Sequence, residues 1–229
     1  MAEGNSNDGI TSGGGFSTYY PQPAWQAAAV SGYFTTAAGL GKSPVAGYAA
    51  NGCAYPDISL AGMNYMVVIG VKSYAVSGTS ASCPAVAGFI SNINAARLAI
   101  GKGSMGWINP ALHTKGSSFV NDITSGNIEC VADGTCCSTG FYATAGWDPA
   151  TGLGSVNYGK MASFFVALGS NMTHSFPTMS PAFPGYGYSP RPTFVPTFTP
   201  AVASSSNSRT TGMNCDRSDS SSRLSITYL

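Results

Sequence analysis

Charged residues are scarce in this chain. Only 8% of its 229 residues are Asp, Glu, Lys or Arg, and the formal net charge is +1. Nucleic-acid binding requires a strongly basic surface, so the composition gives no electrostatic case for a nucleic-acid or acidic partner. Histidine is rarer still, with two residues, of which only His113 falls in the part expected to fold.

Long apolar runs are absent as well. The apolar stretches at residues 65–71 and 161–168 have the length of single secondary-structure elements, so we expect no membrane span. Residues 1–5 are polar and lack the charged-then-apolar layout of a secretory signal. The length of the chain is sufficient for one domain with its own hydrophobic core.

Six cysteines are present, but none forms a Cys-x-x-Cys pair, and neither histidine lies near the cluster at Cys130, Cys136 and Cys137. A zinc site is therefore poorly supported. A disulfide from Cys130 to Cys136 or Cys137 would close a short loop, which favours an oxidising compartment. We expect Cys83 to be a buried free thiol.

The stretch that carries chemistry is residues 77–84, Ser-Gly-Thr-Ser-Ala-Ser-Cys-Pro. Before it, residues 65–71 are apolar and β-branched and predict a short buried strand. After it, apolar residues recur at helical spacing over residues 85–97, and Pro84 is expected in the first turn of that helix. Ser80 would then lie where free N–H groups stabilise negative charge, although serine is also a common helix N-cap.

This octet resembles the nucleophile motif of the subtilisin-like fold, with Ser80 in the position of the nucleophile. A classical subtilisin usually has His where Ala85 stands. The flanking segments resemble the sedolisins instead, the serine-carboxyl peptidases that include the tripeptidyl peptidase I type. These segments are residues 9–17, 23–26, 55–59, 93–97, 105–112, 121–126 and 145–154.

The resemblance implies an α/β fold with a subtilisin-like parallel sheet flanked by helices. Residues 1–169 would form the C-terminal portion of such a peptidase domain, because the resemblance begins near residue 3. We therefore expect a longer precursor, with its signal upstream of this sequence. Residues 170–229 hold half of the 14 prolines and many Ser and Thr residues, which predicts a disordered tail. Within that tail, Asn171 is an N-glycosylation acceptor if the chain is secreted.

The resemblance also implies one structural Ca²⁺ ion. Its ligands would be the side chains of Asp122 and Asp148 and the backbone carbonyls of Ile123, Thr144 and Gly146. A hard cation of this kind takes six or more oxygen ligands, which loops supply readily. The family commonly has glycine where Thr144 stands, a mild departure since only the carbonyl is used. The alternative is that each aspartate simply caps a turn or helix.

The carboxylates that assist the nucleophile in this family are missing from the sequence. Sedolisins use a Glu as the base, oriented by an Asp one helical turn away, with a further Asp at the oxyanion hole. No Glu-x-x-x-Asp pair precedes Ser80, since Glu3 and Asp8 are five residues apart, and Glu129 and Asp133 follow it. We therefore expect this chain alone to be nearly inactive and, lacking half of the sheet, poorly stable.

Three further features carry expectations of their own. Asp57, in a predicted strand over residues 54–61, is expected to form hydrogen bonds or a cap. His113 is expected on the surface of a short helix, since a triad role is disfavoured by its place after the serine. The glycines of residues 12–15 either allow another chain to approach closely or form an ordinary turn.

The sequence thus predicts a serine-type peptidase that acts on polypeptides at acidic pH, in a secreted or lysosome-like compartment. Endopeptidase and tripeptidyl-peptidase action, and the oligomeric state, stay open. Two other classes also remain: an inactive, calcium-stabilised binding module, and a fragment of a classical subtilisin-like peptidase.

Overall fold

A computed structural model describes residues 12–130, 136, 137 and 139–169. The elements follow in the order β1 (Gly15–Pro21), α1 (Ala27–Gly39), β2 (Gly52–Tyr55), β3 (Tyr65–Ile69), β4 (Lys72–Val76), α2 (Thr79–Ala99), α3 (Asn109–Lys115), β5 (Val120–Asn121), β6 (Ser155–Val156) and α4 (Tyr158–Ala167). Short 3-10 turns at Ala24–Gln26 and Gly116–Ser118 precede α1 and follow α3. The predicted tail, residues 170–229, lies outside the described residues. No helix among those described is both long and apolar enough to cross a membrane.

The strands in the described ranges form three two-stranded antiparallel sheets, β1–β2, β3–β4 and β5–β6. A parallel bridge joins Ser59 to Ser155 outside the named strands. The predicted parallel sheet is therefore not confirmed. Strands β3 and β4 are joined by a two-residue turn, which can only produce an antiparallel pair, whereas a parallel pair needs a long crossover. The strand predicted over residues 54–61 is also shorter, since β2 ends at Tyr55.

Two hydrophobic clusters hold the described part together. The first lies between α2, α3 and α4, with buried residues that include Ile93, Met105, Leu112, Phe119, Met161 and Phe165. The second joins α1 to β1 and β2 through buried aromatic side chains, among them Phe16, Tyr33, Phe141 and Trp147. Leu153 packs against both clusters, so the loop before β6 links them.

Helix α1 is attached to β2 through a buried amide side chain. Gln26, fully buried, donates from Nε2 to the Ala54 carbonyl at 2.8 Å and accepts from the Ala54 N–H at 2.9 Å. The side chain thus makes the pair of hydrogen bonds that a neighbouring strand would make. Since both backbone groups of Ala54 are buried, this pairing removes a cost of about 1–3 kcal/mol for each group left without a partner.

Helices α2 and α4 are joined at their C-terminal ends by two cations. Arg97 is fully buried and donates to the carbonyls of Gly103 (2.8 Å), Phe165, Leu168 (3.1 Å) and Gly169 (3.4 Å). Lys102 donates to the carbonyls of Val166 and Ala167 and shares the Leu168 carbonyl with Arg97. Carbonyls at the end of a helix have no partners within it and carry partial negative charge, so both cations stabilise the end of α4.

One disulfide closes the cysteine loop, as predicted. Cys130 and Cys136 are bonded at an S–S distance of 2.06 Å, which selects Cys136 from the two partners that the sequence left open. Cys53 and Cys83 are free thiols, and both are half-buried. The prediction for Cys83 is thus confirmed as to its free state, while its burial is only partial.

The hairpin β3–β4 contradicts the prediction of a buried strand. Met66 and Val68 are each 70% exposed, and the whole of β4 is exposed. Gly70 and Val71 form its turn, with φ of 54° and 63°. Left-handed conformations at both turn positions are typical of the type I′ turn, which favours Asn-Gly, so the β-branched Val71 is strained there.

Replacing Val71 with Gly should stabilise this hairpin. The left-handed conformation costs a non-glycine residue about 1–2 kcal/mol, of which the entropy of the more flexible glycine offsets part. We expect amide hydrogen exchange over β3 and β4 to slow by about threefold to tenfold, equivalent to about 0.6–1.4 kcal/mol. Val45→Gly, at an exposed loop position, is the control. Unchanged or faster exchange in Val71→Gly would show that the turn is not strained.

Candidate active site and candidate metal centre

Ser80 is exposed and is the second residue of the 21-residue helix α2. The helix starts at Gly78, its N-cap, which has φ 133° and ψ 166°, a conformation essentially restricted to glycine. The Gly78 N–H donates to the Gly62 carbonyl at 2.5 Å, and the Gly78 carbonyl accepts from the Ala81 N–H at 2.9 Å. The end of β4 and a glycine-specific turn thus present Ser80 at the helix start.

Pro84 does not lie where the sequence predicted. The helix already begins at Thr79, so Pro84 is its sixth residue and stands beyond the first turn. Proline has no N–H, so the carbonyl four residues earlier, that of Ser80, has no helical donor. The prediction was wrong because Gly78, rather than a serine, ends the extended backbone.

The Ser80 hydroxyl makes no hydrogen bond to another described residue. The neighbouring Ser82 hydroxyl does, since it donates to the Thr79 carbonyl at 3.2 Å. His113, the histidine in the described ranges, is engaged elsewhere with Asp57. No described side chain is thus placed to accept a proton from the Ser80 hydroxyl.

Asp57 and His113 form a buried pair. Asp57 accepts from Asn109 Nδ2 at 2.8 Å on one oxygen and contacts His113 Nε2 at 2.6 Å on the other. The predicted hydrogen-bonding role of Asp57 is thus confirmed. The predicted surface position of His113 is wrong, because its side chain has no exposed area and packs at 4.8 Å against the Trp25 ring. The helical pattern alone could not show that Trp25 covers this side of α3.

The segment after β2 also contacts the loop that precedes β6. The Pro56 carbonyl accepts from Trp147 Nε1 at 2.8 Å, and the Asp57 carbonyl accepts from the Leu153 N–H at 2.9 Å. Two residues further on, the Ser59 N–H donates to the Gly154 carbonyl at 3.0 Å. The loop that holds the candidate metal ligands is therefore bonded to the segment that leads to the hairpin and Ser80.

The two loops predicted to bind calcium lie side by side. Asp122 Oδ2 accepts from the Gly146 N–H at 2.8 Å, which joins residues that are 24 positions apart. Gly146 has φ 87°, which other residues rarely adopt. Residues Asp122 and Gly146 are exposed, whereas Thr144 and Asp148 are buried.

Asp148 is a fully buried carboxylate in this loop. It accepts from the N–H groups of Thr144 (3.0 Å), Ala150 (2.9 Å) and Thr151 (2.8 Å), and also from the Thr151 hydroxyl. Burial raises the pKa of Asp148 to about 6, and these hydrogen bonds oppose part of the increase. The carboxylate therefore does cap a turn, as the alternative interpretation had it.

The other predicted ligands offer free oxygens. Among the described residues, the carbonyls of Ile123, Thr144 and Gly146 accept none of the hydrogen bonds, and the buried Thr144 Oγ1 has no partner. The same part of the chain holds no cluster of three or more His, Cys, Asp or Glu side chains that suits a metal. Two carboxylates with several free carbonyl oxygens fit a hard cation rather than zinc.

The glycine turn at residues 12–15 packs against this chain itself. A Cβ atom at Gly14 would lie 1.6 Å from the Pro149 carbonyl oxygen, so no larger residue fits there. Next to it, Gly13 has open space around its Cα. Gly14 thus allows a close approach, but by the loop after Asp148 of this chain, and the predicted approach of another chain is not tested.

Comparison with known proteins identifies relatives of this architecture, although no family model matches. Physarolisin of Physarum polycephalum is 39% identical over 163 residues, which cover 69% of this chain and 28% of Physarolisin. Aorsin of Aspergillus oryzae is 43% identical over 167 residues, which cover 69% of this chain and 24% of Aorsin. The chain spans about a quarter of the length of these curated relatives.

Among solved structures, Pseudomonas sedolisin, a serine-carboxyl proteinase, matches with a TM-score of 0.52 and 25% identity. The match covers 72% of this chain and 39% of that one. These relatives and this solved structure place the chain with the family of the serine-carboxyl proteinases. The chain belongs to the sedolisin family, and the partial coverage fits a C-terminal portion of such a protein.

Proposed function

We propose that this chain is the part of a serine peptidase that carries the nucleophile, Ser80. The observation that supports this most directly is the exposed Ser80 hydroxyl at the start of α2, held there by a glycine-specific N-cap. A structural N-cap serine would instead turn its oxygen to the first N–H groups of the helix, whereas the N-cap here is Gly78. The names of the relatives also support a peptidase, since they include tripeptidyl-peptidases and a serine-carboxyl proteinase.

In the proposed reaction the Ser80 oxygen attacks the carbonyl carbon of a peptide bond. Its proton passes to a base, and the first N–H groups of α2, at Thr79 and Ser80, face the oxygen that becomes negative. The C–N bond then breaks, the amine leaves with a proton, and water hydrolyses the acyl-serine ester. In this proposal the described residues supply the nucleophile and backbone N–H donors for the oxyanion, while the base and the further Asp of the oxyanion hole come from outside the described residues.

The proposal includes acidic working conditions and a secreted or lysosome-like location. The Cys130–Cys136 disulfide supports an oxidising compartment, because such bonds are rare where thiols are kept reduced. Several relatives are named tripeptidyl-peptidases. Endopeptidase and tripeptidyl-peptidase action are distinguished by product length, since the latter releases peptides of three residues only.

We propose that one Ca²⁺ ion is held by Asp122, Asp148 and the carbonyls of Ile123, Thr144 and Gly146. The ion would supply positive charge beside the buried Asp148 carboxylate and would link the two loops. Because the Trp147 ring donates to the Pro56 carbonyl, order in this loop extends to the segment that leads to Ser80.

Calcium should therefore stabilise the folded chain, and Asp122→Asn should abolish most of that effect. At a Ca²⁺ concentration 100 times the Kd, stabilisation is about 2.7 kcal/mol. The measurement is thermal unfolding with Ca²⁺ and with a chelator. Glu129→Gln is the matched control. It removes the charge of another carboxylate, one that accepts a hydrogen bond from Tyr142 and is not among the proposed Ca²⁺ ligands. An equal response to Ca²⁺ in Asp122→Asn would contradict the site.

The peptidase proposal is tested by hydrolysis of a quenched fluorescent peptide over a range of pH. The assay uses the protein purified from the organism that produces it. The Ser80→Ala and Ser82→Ala variants are made in the same organism and compared with it. Only Ser80→Ala should lose activity.

A calcium-stabilised binding module is the second candidate function. It is favoured by one observation, namely that no base among the described residues contacts Ser80. A module of this kind would show the calcium response and no cleavage of any peptide, and Ser80→Ala would leave its binding unchanged.

A further inference from the structure

One described cysteine has a partner that the Cys130–Cys136 disulfide does not account for. Cys137 is itself disulfide-bonded. Cys130 and Cys136 are bonded to each other, and Cys53 and Cys83 are free thiols. Because each sulfur forms one disulfide only, none of these four cysteines is the partner of Cys137.

The sequence holds one further cysteine, Cys215. This residue lies outside the described residues, so the sequence alone supplies it. We propose that Cys137 and Cys215 form a second disulfide, which ties residues 170–229 back to the cysteine loop. Such a bond does not depend on the peptidase function.

Cys137 lies on a paired segment that leads to the candidate metal ligands. Its N–H donates to the Glu129 carbonyl at 2.9 Å, and the Ile128 N–H donates to the Phe141 carbonyl at 2.9 Å. Phe141 is buried in the second hydrophobic cluster. The proposed bond therefore attaches the end of the chain to a segment that is hydrogen-bonded and packed, seven positions before Thr144.

The second disulfide would close a large loop. Its two cysteines are 78 positions apart, and the residues between them include β6, α4 and the candidate ligands in residues 144–148. A cross-link restricts the unfolded chain more strongly as the loop that it closes becomes longer. We therefore expect this bond to favour the folded state of the part that contains the calcium loop and α4.

Formation of the bond is a two-electron oxidation. Each thiol gives up one proton and one electron, and the two sulfurs join. A disulfide oxidant such as oxidised glutathione accepts both electrons and both protons and is released as two thiols. The Cys130–Cys136 bond already favours an oxidising compartment, where such an oxidant is present.

Peptide mapping of the protein purified from the organism that produces it tests the pairing. Free thiols are first blocked with N-ethylmaleimide in denaturant at mildly acidic pH, where thiolates are few and disulfides exchange slowly. Trypsin then cuts after Lys and Arg without any reductant. We expect residues 116–160, which contain Cys137, to be found joined to residues 210–217, which contain Cys215. Reduction should separate the two peptides completely.

The assignment within residues 116–160 needs a variant, because Cys130 and Cys136 lie in the same peptide. Cys137→Ser should abolish the joined peptides and leave Cys215 blocked by N-ethylmaleimide. Cys53→Ser removes a thiol that is already free and is the matched control, so it should keep the joined peptides. Fragmentation of the joined peptides between residues 136 and 137 locates the bond in the original protein, even if Cys137→Ser does not accumulate.

Three results would overturn the proposal. The first is Cys215 blocked by N-ethylmaleimide in the original protein. The second is Cys137 joined to a peptide from outside these 229 residues. The third is a chain that migrates as a disulfide-linked dimer and becomes a monomer on reduction, since the bond would then join two copies.

Discussion

Replacing Arg97 with Met should lower the free energy of unfolding by about 3–5 kcal/mol, because several carbonyls are left without a donor and each costs about 1–3 kcal/mol when buried. The side chain is fully buried and donates to the carbonyls of Gly103, Phe165, Leu168 and Gly169. Methionine keeps much of the apolar stem but has no donor, so the carbonyls of Gly103, Phe165 and Gly169 lose this partner, while that of Leu168 keeps Lys102. Urea unfolding followed by tryptophan fluorescence measures the effect.

Two further variants separate charge from geometry. Arg97→Lys should recover only part of the loss, because an ammonium group lacks the planar fork that reaches several carbonyls. Lys160→Met, at an exposed position on α4, should change stability by no more than about 0.5 kcal/mol. An Arg97→Met variant as stable as the original chain would show that α2 and α4 are held together by apolar contacts alone.

Replacing Ser80 with Ala should lower the rate of peptide hydrolysis by about 10⁴–10⁶-fold in the protein as its source produces it. The variant lacks the proposed nucleophilic oxygen, and neither the helix start nor the loops proposed to bind calcium depend on this hydroxyl, since it makes no hydrogen bond to a described residue. Ser82→Ala should keep a rate near that of the original protein, because the Ser82 hydroxyl bonds only to the Thr79 carbonyl. Single-turnover kinetics on the quenched peptide measure the step itself.

If Ser82→Ala lost activity to a similar extent and Ser80→Ala did not, the nucleophile would be Ser82 and not Ser80. Unchanged hydrolysis in both variants would assign any cleavage to another group. The folded state of Ser80→Ala is checked by its calcium response, which should match that of the original protein.

The sequence was sufficient for the features that depend on neighbouring residues. An apolar run and a helical period predicted a strand before the serine motif and a helix after it, and the structure has both, but β4 between them, the exposure of the hairpin and the helix start at Thr79 were not predicted. The short spacing predicted a disulfide from Cys130 to Cys136 or Cys137, and the structure has the bond to Cys136. The close approach of Asp122 to Gly146 could not be predicted from local patterns, since 24 positions separate the two residues. Only the resemblance to the sedolisins indicated that the two loops lie together.

Features that depend on distant contacts could not be predicted from patterns. The burial of Arg97 was not predicted, because it depends on the end of α4, which lies about 70 positions later in the chain and surrounds the side chain. His113 is covered by Trp25, which lies 88 positions earlier in the chain. The exposure of the hairpin β3–β4 was not predicted either, because its apolar run is typical of a covered strand, whereas β3 is exposed in the structure.

The most direct test of the central claim, that Ser80 is a nucleophile, is covalent labelling. The protein as its source produces it is treated with a fluorophosphonate, digested, and analysed by mass spectrometry. The account predicts that the phosphonyl group is found on the Ser80 oxygen and that peptide hydrolysis falls in proportion to the labelling. An active peptidase that is inhibited while Ser80 stays unmodified would contradict it.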